Sequence, residues 1–194
     1  MPLENLKKYH IVLASNSPRR RELLAGLGLA FDVNVLPGIS ERYPAHLPAT
    51  AIAEYIAAEK AEAYLGVMAE DDLVITADTI VIVDGHVLGK PHDEAEACAM
   101  LRQLSGKTHQ VVTGVCLTTS SGQRRFSVTT DVTFATLTDD EILHYVSTCR
   151  PFDKAGSYGI QEWIGYIGVT ALRGSYFNVM GLPVQRIYTE LKQL

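Results

Sequence analysis

One run of residues limits the folds open to this chain more than any other. Leu73–Val83 reads LVITADTIVIV, almost continuously apolar and rich in β-branched residues. A run of that kind at strand length predicts a strand covered on both faces, and therefore a sheet with helices packed against it. Asp78 is the anomaly inside it. A carboxylate in an apolar strand needs a cation, a metal or an exposed strand end, because an isolated buried charge costs too much. Asp84–Gly85 follows directly, the dipeptide most favoured in two-residue hairpin turns, and returns the chain through His86–Lys90 to Pro91. That register sets Thr79 opposite Lys90 and brings a cation to the Asp78 end of the ribbon.

The rest of the chain alternates strands with helices. Ile11–Leu13 reads as a short buried strand that ends in Ser15–Asn16–Ser17. A helix opens at Pro18 with Ser17 as its N-cap, carries Leu23, Leu24 and Leu27 on one stripe, and has Gly28 as its stop. Phe31–Leu36 reads as a second strand, followed by a loop from Pro37 to Pro48. The alanine-rich stretch Thr50–Leu65 predicts a helix that buries Ile52, Tyr55 and Ile56. Asp93 with Glu96, and Thr138 with Glu141, have capping-box spacing, so they start helices running to about Leu104 and to just before Arg150–Pro151. Between them lie strands near Gln110–Thr119 and Arg124–Thr136, and Pro183 begins a last helix. The pattern is α/β with a hairpin-rich antiparallel part, at a length that suits one domain.

Charge narrows the partners. Seventeen Lys+Arg against 22 Asp+Glu leave a net charge of −5, which argues against coating DNA or RNA but not against a small anion held by a few local cations. Cys98, Cys116 and Cys149 are odd in number and far apart, which fits a reducing compartment. The first apolar run, Ile11–Ala14, is too short for a signal-peptide core, and no stretch has the length of a membrane helix. The expectation is a cytoplasmic protein with neither nucleic-acid nor membrane partners.

Ser15-Asn16-Ser17-Pro18-Arg19-Arg20-Arg21 lies between a strand and a helix, where unpaired N–H groups and the helix dipole attract an anion. Arginines in a first turn oppose that dipole, and conflicts of this kind are expected at functional sites. Lys154–Gln161 has the small residues that let a ligand approach the backbone. The six histidines lie apart from one another, with no zinc-site spacing. Ser105-Gly106-Lys107-Thr108 mimics the end of a P-loop but lacks the earlier glycine, and a helix precedes it rather than following it.

Leu13-Ala14-Ser15-Asn16-Ser17-Pro18-Arg19-Arg20, Glu59-Lys60-Ala61, Ala77-Asp78-Thr79, Gly89-Lys90-Pro91, Asp153-Lys154-Ala155-Gly156 and Tyr158-Gly159-Ile160-Gln161 occur in this order. In combination they resemble the Maf family of nucleoside triphosphate pyrophosphatases, from about Ile11 to the final helix. The resemblance implies one α/β domain over residues 1–194, a mixed twisted sheet with flanking helices and two lobes around a nucleotide cleft. It implies a homodimer, a divalent cation (Mg²⁺ or Mn²⁺), and hydrolysis of a nucleoside triphosphate to the monophosphate and pyrophosphate. By position it makes Asp78 the catalytic carboxylate and proton acceptor, and Glu41 its metal-associated partner. Ser15, Arg20, Lys60 and Lys90 fall around the phosphates. Arg19, Thr79 and Gln161 fall at the base and look like the dTTP/UTP branch, with modified pyrimidine triphosphates as further substrates. A branch acting on 7-methyl-GTP, and a nucleotide-binding regulator linked to septum formation, are the alternatives that the family holds.

Overall fold

A computed structural model describes residues 3–194. A seven-stranded mixed sheet flanked by helices forms the fold, with the order β2-β1-β3-β5-β6-β7 and β4 paired to β3. The strands are β1 (His10–Leu13), β2 (Asp32–Val33), β3 (Asp72–Val83), β4 (His86–Leu88), β5 (Thr108–Thr119), β6 (Gly122–Phe134) and β7 (Val169–Arg173). The helices are α1 (Pro18–Ala25), α2 (Ala49–Glu62), α3 (Glu94–Leu104), α4 (Asp139–Cys149), α5 (Trp163–Gly168), α6 (Tyr176–Met180) and α7 (Val184–Leu191). Short 3-10 turns cover Glu4–Lys8 and Ala155–Ser157. Strand β1 pairs in parallel with β2 and β3, while β3–β4 and β6–β7 are antiparallel.

The chain divides into two compact units. The first holds residues up to Asp78, Thr113–Val128 and Gly181–Leu194, and the second holds Thr79–Val112 and Thr129–Met180. In the first unit, parallel pairing sets Ile11 beside Leu73 and Leu13 beside Ile75, so the two apolar runs bury each other's flanks. Helix α2 can lie close to the sheet because position 114 is glycine. A Cβ there would fall 2.2 Å from Glu54 N and 2.3 Å from Ala53 C. In the second unit, α3 and α4 pack with β4 around Leu101, Leu104, Ile142, Tyr145, Phe134 and Ile164.

Most expected starts and stops are present. Ser17 Oγ accepts from Arg20 N–H, Thr138 and Glu141 form a full capping box, and Asp84 and Gly85 both take the positive φ of a tight hairpin turn. Asp93 caps α3, but Glu96 reaches back to His92 N–H rather than to the cap residue. Helix α1 ends at Ala25, one turn before Gly28, which takes φ +73° beyond it.

Three expectations are corrected. The strand over Phe31–Leu36 shrinks to Asp32–Val33, because β1 offers it only Val12 and Leu13 and because Val33 and Val35 are exposed. Ile52 and Ile56 are buried as expected, but Tyr55 is only half-buried, and Ala53, Ala57, Ala58 and Ala61 complete the inner face of α2. The hairpin ladder stops at Val81–Leu88, so Thr79 and Lys90 are not paired across it. Gly89 leaves the ladder and its carbonyl accepts from Gly156 N–H at 2.9 Å. Cys98, Cys116 and Cys149 are all free thiols. Among the described residues, no helix is long and apolar enough to cross a membrane.

Candidate active site

In the first unit the loop after β1 turns one polar side chain inward. Ser15 is buried, and its Oγ accepts from Ser17 N–H at 3.2 Å. Arg20, one turn into α1, donates from Nε to Gly181 O and from Nη1 to Ala77 O, both at 2.8 Å. A guanidinium that opposes the helix dipole is thus tied to two carbonyls, one of them in β3 next to Asp78. Burial draws Arg20 down from the ordinary arginine pKa, while the Asp78 charge works against that shift. Arg19 is half-buried beside it.

The anomaly in β3 has its answer in α2. Thr76 and Asp78 alternate onto one face of the strand. Thr76 Oγ1 donates to Ala57 O at 2.7 Å, which fixes α2 against that face. One turn on, Lys60 Nζ lies 2.8 Å from Asp78 Oδ1 and 2.6 Å from Glu41 Oε1. The Lys60 and Asp78 side chains keep only 15% and 14% of their exposure, whereas Glu41 in its loop keeps 50%. One ammonium therefore holds two carboxylates together, in a setting dry enough for the pairing to matter.

The same cluster can be compared with what a divalent cation requires. Glu41 and Asp78 are hard oxygen donors gathered at one point, and a Mg²⁺-type ion commonly takes one or two carboxylates and completes its shell with water and substrate phosphate oxygens. The donor set fits such an ion. Among the described residues there is no group of three or more His, Cys, Asp or Glu side chains able to cage a metal.

The second unit carries the remaining expected residues. Thr79 continues β3 directly after Asp78 and is half-buried, and Lys90 is exposed beyond the end of β4. Gln161 lies in a turn closed by Glu162 N–H donating to Gly159 O at 3.0 Å. Its Oε1 is buried without a hydrogen-bond partner among the described residues. Around this turn stand Tyr145, Glu162, Lys154 and Asp153, none of which has a role assigned from the sequence. Tyr145 OH accepts from Gly159 N–H at 3.0 Å and donates to Glu162 Oε2. Lys154, only 8% exposed, sets its Nζ 3.1 Å from Glu162 Oε1 and 2.8 Å from Asp153 Oδ1. Asp153 and Lys154 stand next to each other in the chain, but Tyr145 sits on α4 in an ordinary apolar stripe, and nothing local marks it.

In the first unit, an acid–lysine–acid cluster with a serine- and arginine-bearing helix start suits polyphosphate chemistry, in which water is activated and departing negative charge is neutralised. An α/β protein with this equipment is of the phosphate-anhydride hydrolase type. The chain belongs to the Maf family: the family model described as "Maf-like protein" matches residues 10–194. It is 66% identical to the dTTP/UTP pyrophosphatase of Phocaeicola vulgatus, over 99% of this chain and the whole of that protein. Against the dTTP/UTP pyrophosphatase of Bacteroides thetaiotaomicron the identity is 57%, over 99% of this chain and all of the relative. The protein of that name from Christiangramia forsetii is 44% identical, over 98% of this chain and 97% of its own length.

Proposed function

We propose that this protein hydrolyses dTTP and UTP, and modified pyrimidine triphosphates, between the α and β phosphates, giving the nucleoside monophosphate and pyrophosphate. The observation that carries the reading is the Lys60-bridged pair of Asp78 and Glu41. The full-length likeness to proteins named dTTP/UTP pyrophosphatase supports it.

The chemistry follows from the residues. A water oxygen attacks the α-phosphorus while the bond to the αβ-bridging oxygen breaks, and that oxygen leaves with pyrophosphate. The proton shed by the water goes to the Asp78 carboxylate and then to solvent. Lys60 holds the Asp78 carboxylate in place, and with Ser15, Arg20 and Lys90 it meets the phosphate oxygens. Mg²⁺ or Mn²⁺ held by Glu41 and Asp78 would supply charge neutralisation and a more acidic bound water. Arg19, Thr79 and Gln161 meet the base. The enzyme acts as a cytoplasmic homodimer in which residues 1–194 form a single functional domain.

A panel of nucleoside triphosphates with Mg²⁺ or Mn²⁺ tests this, with monophosphate, pyrophosphate and orthophosphate quantified separately. Pyrophosphate with dTMP or UMP, and little from purines, is the expected result. Orthophosphate with a diphosphate would overturn the bond assignment, and preference for 7-methyl-GTP would overturn the base assignment. Tight nucleotide binding with no turnover would make the protein a regulator. Asp78→Asn should retain nucleotide binding and lose turnover by roughly 10²–10⁴-fold.

A further inference from the structure

Reading a pyrimidine with glutamine raises a difficulty that Gln161 alone does not solve. A primary amide offers one acceptor and one donor end, and the two exchange on a half-turn of its last torsion. Uracil and thymine present an N3–H donor beside carbonyl acceptors, whereas cytosine presents an N3 acceptor beside an amino donor. A freely turning amide therefore satisfies either base. Discrimination requires the amide to be held one way round.

The second unit contains the means to hold it. A Cβ built on Gly159 would fall 3.0 Å from Gln161 Nε2, 2.9 Å from Glu162 Cδ and 3.1 Å from Glu162 Oε2. The amide's NH₂ end and the Glu162 carboxylate thus crowd the same side of the Gly159 backbone, which only the missing side chain leaves open. A carboxylate there attracts NH₂ and repels the amide oxygen, and Gln161 Oε1 is the end left buried with no partner among the described residues. Glu162 is itself fixed from two sides, by the Tyr145 hydroxyl and by Lys154 Nζ. Burial and the neighbouring Glu162 charge push the Tyr145 phenol far above its ordinary pKa, so it remains a donor. The turn is clamped from α5 as well, since a Cβ on Gly165 would meet Ile160 O at 1.8 Å.

We propose that Glu162, held by Tyr145 and Lys154, is a positioning residue that fixes the Gln161 amide with Oε1 presented to the base, so that the site accepts the N3–H of uracil and thymine and rejects cytosine. The inference rests on the reading of Gln161 as the base-contacting residue.

The test is the ratio of kcat/KM for UTP over CTP, and for dTTP over dCTP, in wild type, Gln161→Ala, Glu162→Gln and Tyr145→Phe, with melting temperature and kcat followed separately. Glu162→Gln is isosteric, and Asp153 still pairs with Lys154, so no buried cation is stranded. Its selectivity should fall roughly tenfold, chiefly because the cytosine nucleotides improve in KM, while kcat for UTP changes little. Tyr145→Phe, which loosens Glu162 without removing it, should move the ratio the same way by a smaller factor. If Gln161→Ala leaves the ratio unchanged, the base-contact reading fails and the inference falls with it. If Gln161→Ala collapses the ratio while Glu162→Gln and Tyr145→Phe preserve it, orientation by Glu162 is overturned and the base contact stands. Equal loss on both bases in Glu162→Gln, with the ratio intact, would show a purely structural role and would also overturn the proposal.

Discussion

Lys60 Nζ stands 2.8 Å from Asp78 Oδ1, so the carboxylate that interrupts the most apolar run of the chain is neutralised from α2. The same ammonium is 2.6 Å from Glu41 Oε1, which makes the three groups unequal under mutation. Lys60→Met removes the ammonium that lies between the two carboxylates. Asp78→Asn leaves Lys60 still paired with Glu41. The first should cost roughly 2–3 kcal/mol, somewhat under the value for a fully buried pair, and the second less than about 1 kcal/mol. Urea unfolding of both variants checks the order, and equal losses would mean that Lys60 does not bridge.

A divalent cation offers an independent check on the same cluster. With the ammonium gone, a hard cation can take its place between Glu41 and Asp78. Mg²⁺ or Mn²⁺ should therefore raise the melting temperature of Lys60→Met more than that of wild type, and should have no such effect on Lys60→Met combined with Asp78→Asn. Thermal scans across a metal titration, without nucleotide, read this directly.

Gly114→Ala should destabilise strongly. The new Cβ would meet α2 backbone at 2.2–2.3 Å, and backbone cannot swing aside as a side-chain tip can. A loss of roughly 2–3 kcal/mol is expected, corresponding to a melting temperature lower by about 5–10 °C in a domain of this size. Gly66→Ala, where a Cβ would meet nothing within 4 Å among the described residues, is the control.

His10 joins three strands at one end of the sheet. Its Nδ1 is 2.7 Å from Asp72 Oδ1 and its Nε2 is 2.7 Å from Asp32 Oδ2, an arrangement with two donors only in the imidazolium form. The two hydrogen bonds, Asp32 first, raise its pKa above the ordinary histidine value. The stabilisation is therefore complete below about pH 6.5 and disappears as pH rises through the raised folded-state value. The difference in melting temperature between wild type and His10→Asn should shrink across that window.

His109 has the opposite sign. It is 1% exposed, Phe134 and Tyr158 stand edge-on to it, and burial pulls its pKa down to about 4. Because the unfolded chain takes up this proton first, folding loses stability as pH falls from about 6.5 towards 4, by roughly 3 kcal/mol in all. An NMR titration should find His109 neutral at pH 6, with its ring shifts moving only in the acid range.

Elements whose cause is local were legible in the sequence. Ser17, Thr138 and Asp93 cap helices because a side-chain oxygen reaches an N–H two or three residues away, and Asp84–Gly85 turns because both residues tolerate positive φ. Asp78 was legible as a conflict, since a charge in a β-branched run needs compensation wherever the fold finds it. The compensator was not legible. Lys60 lies 18 residues earlier in the chain, on a helix that looks like any solvated alanine-rich helix, and it faces Asp78 only because Gly114 and the Thr76–Ala57 hydrogen bond bring α2 down onto the sheet. Tyr145 and Glu162 likewise carry no local signal, because their relation to Gln161 depends on where α4 and α5 pack. Short-range sterics and capping are written into neighbouring residues. Which distant charges meet is set by helix-on-sheet distances that no run of sequence contains.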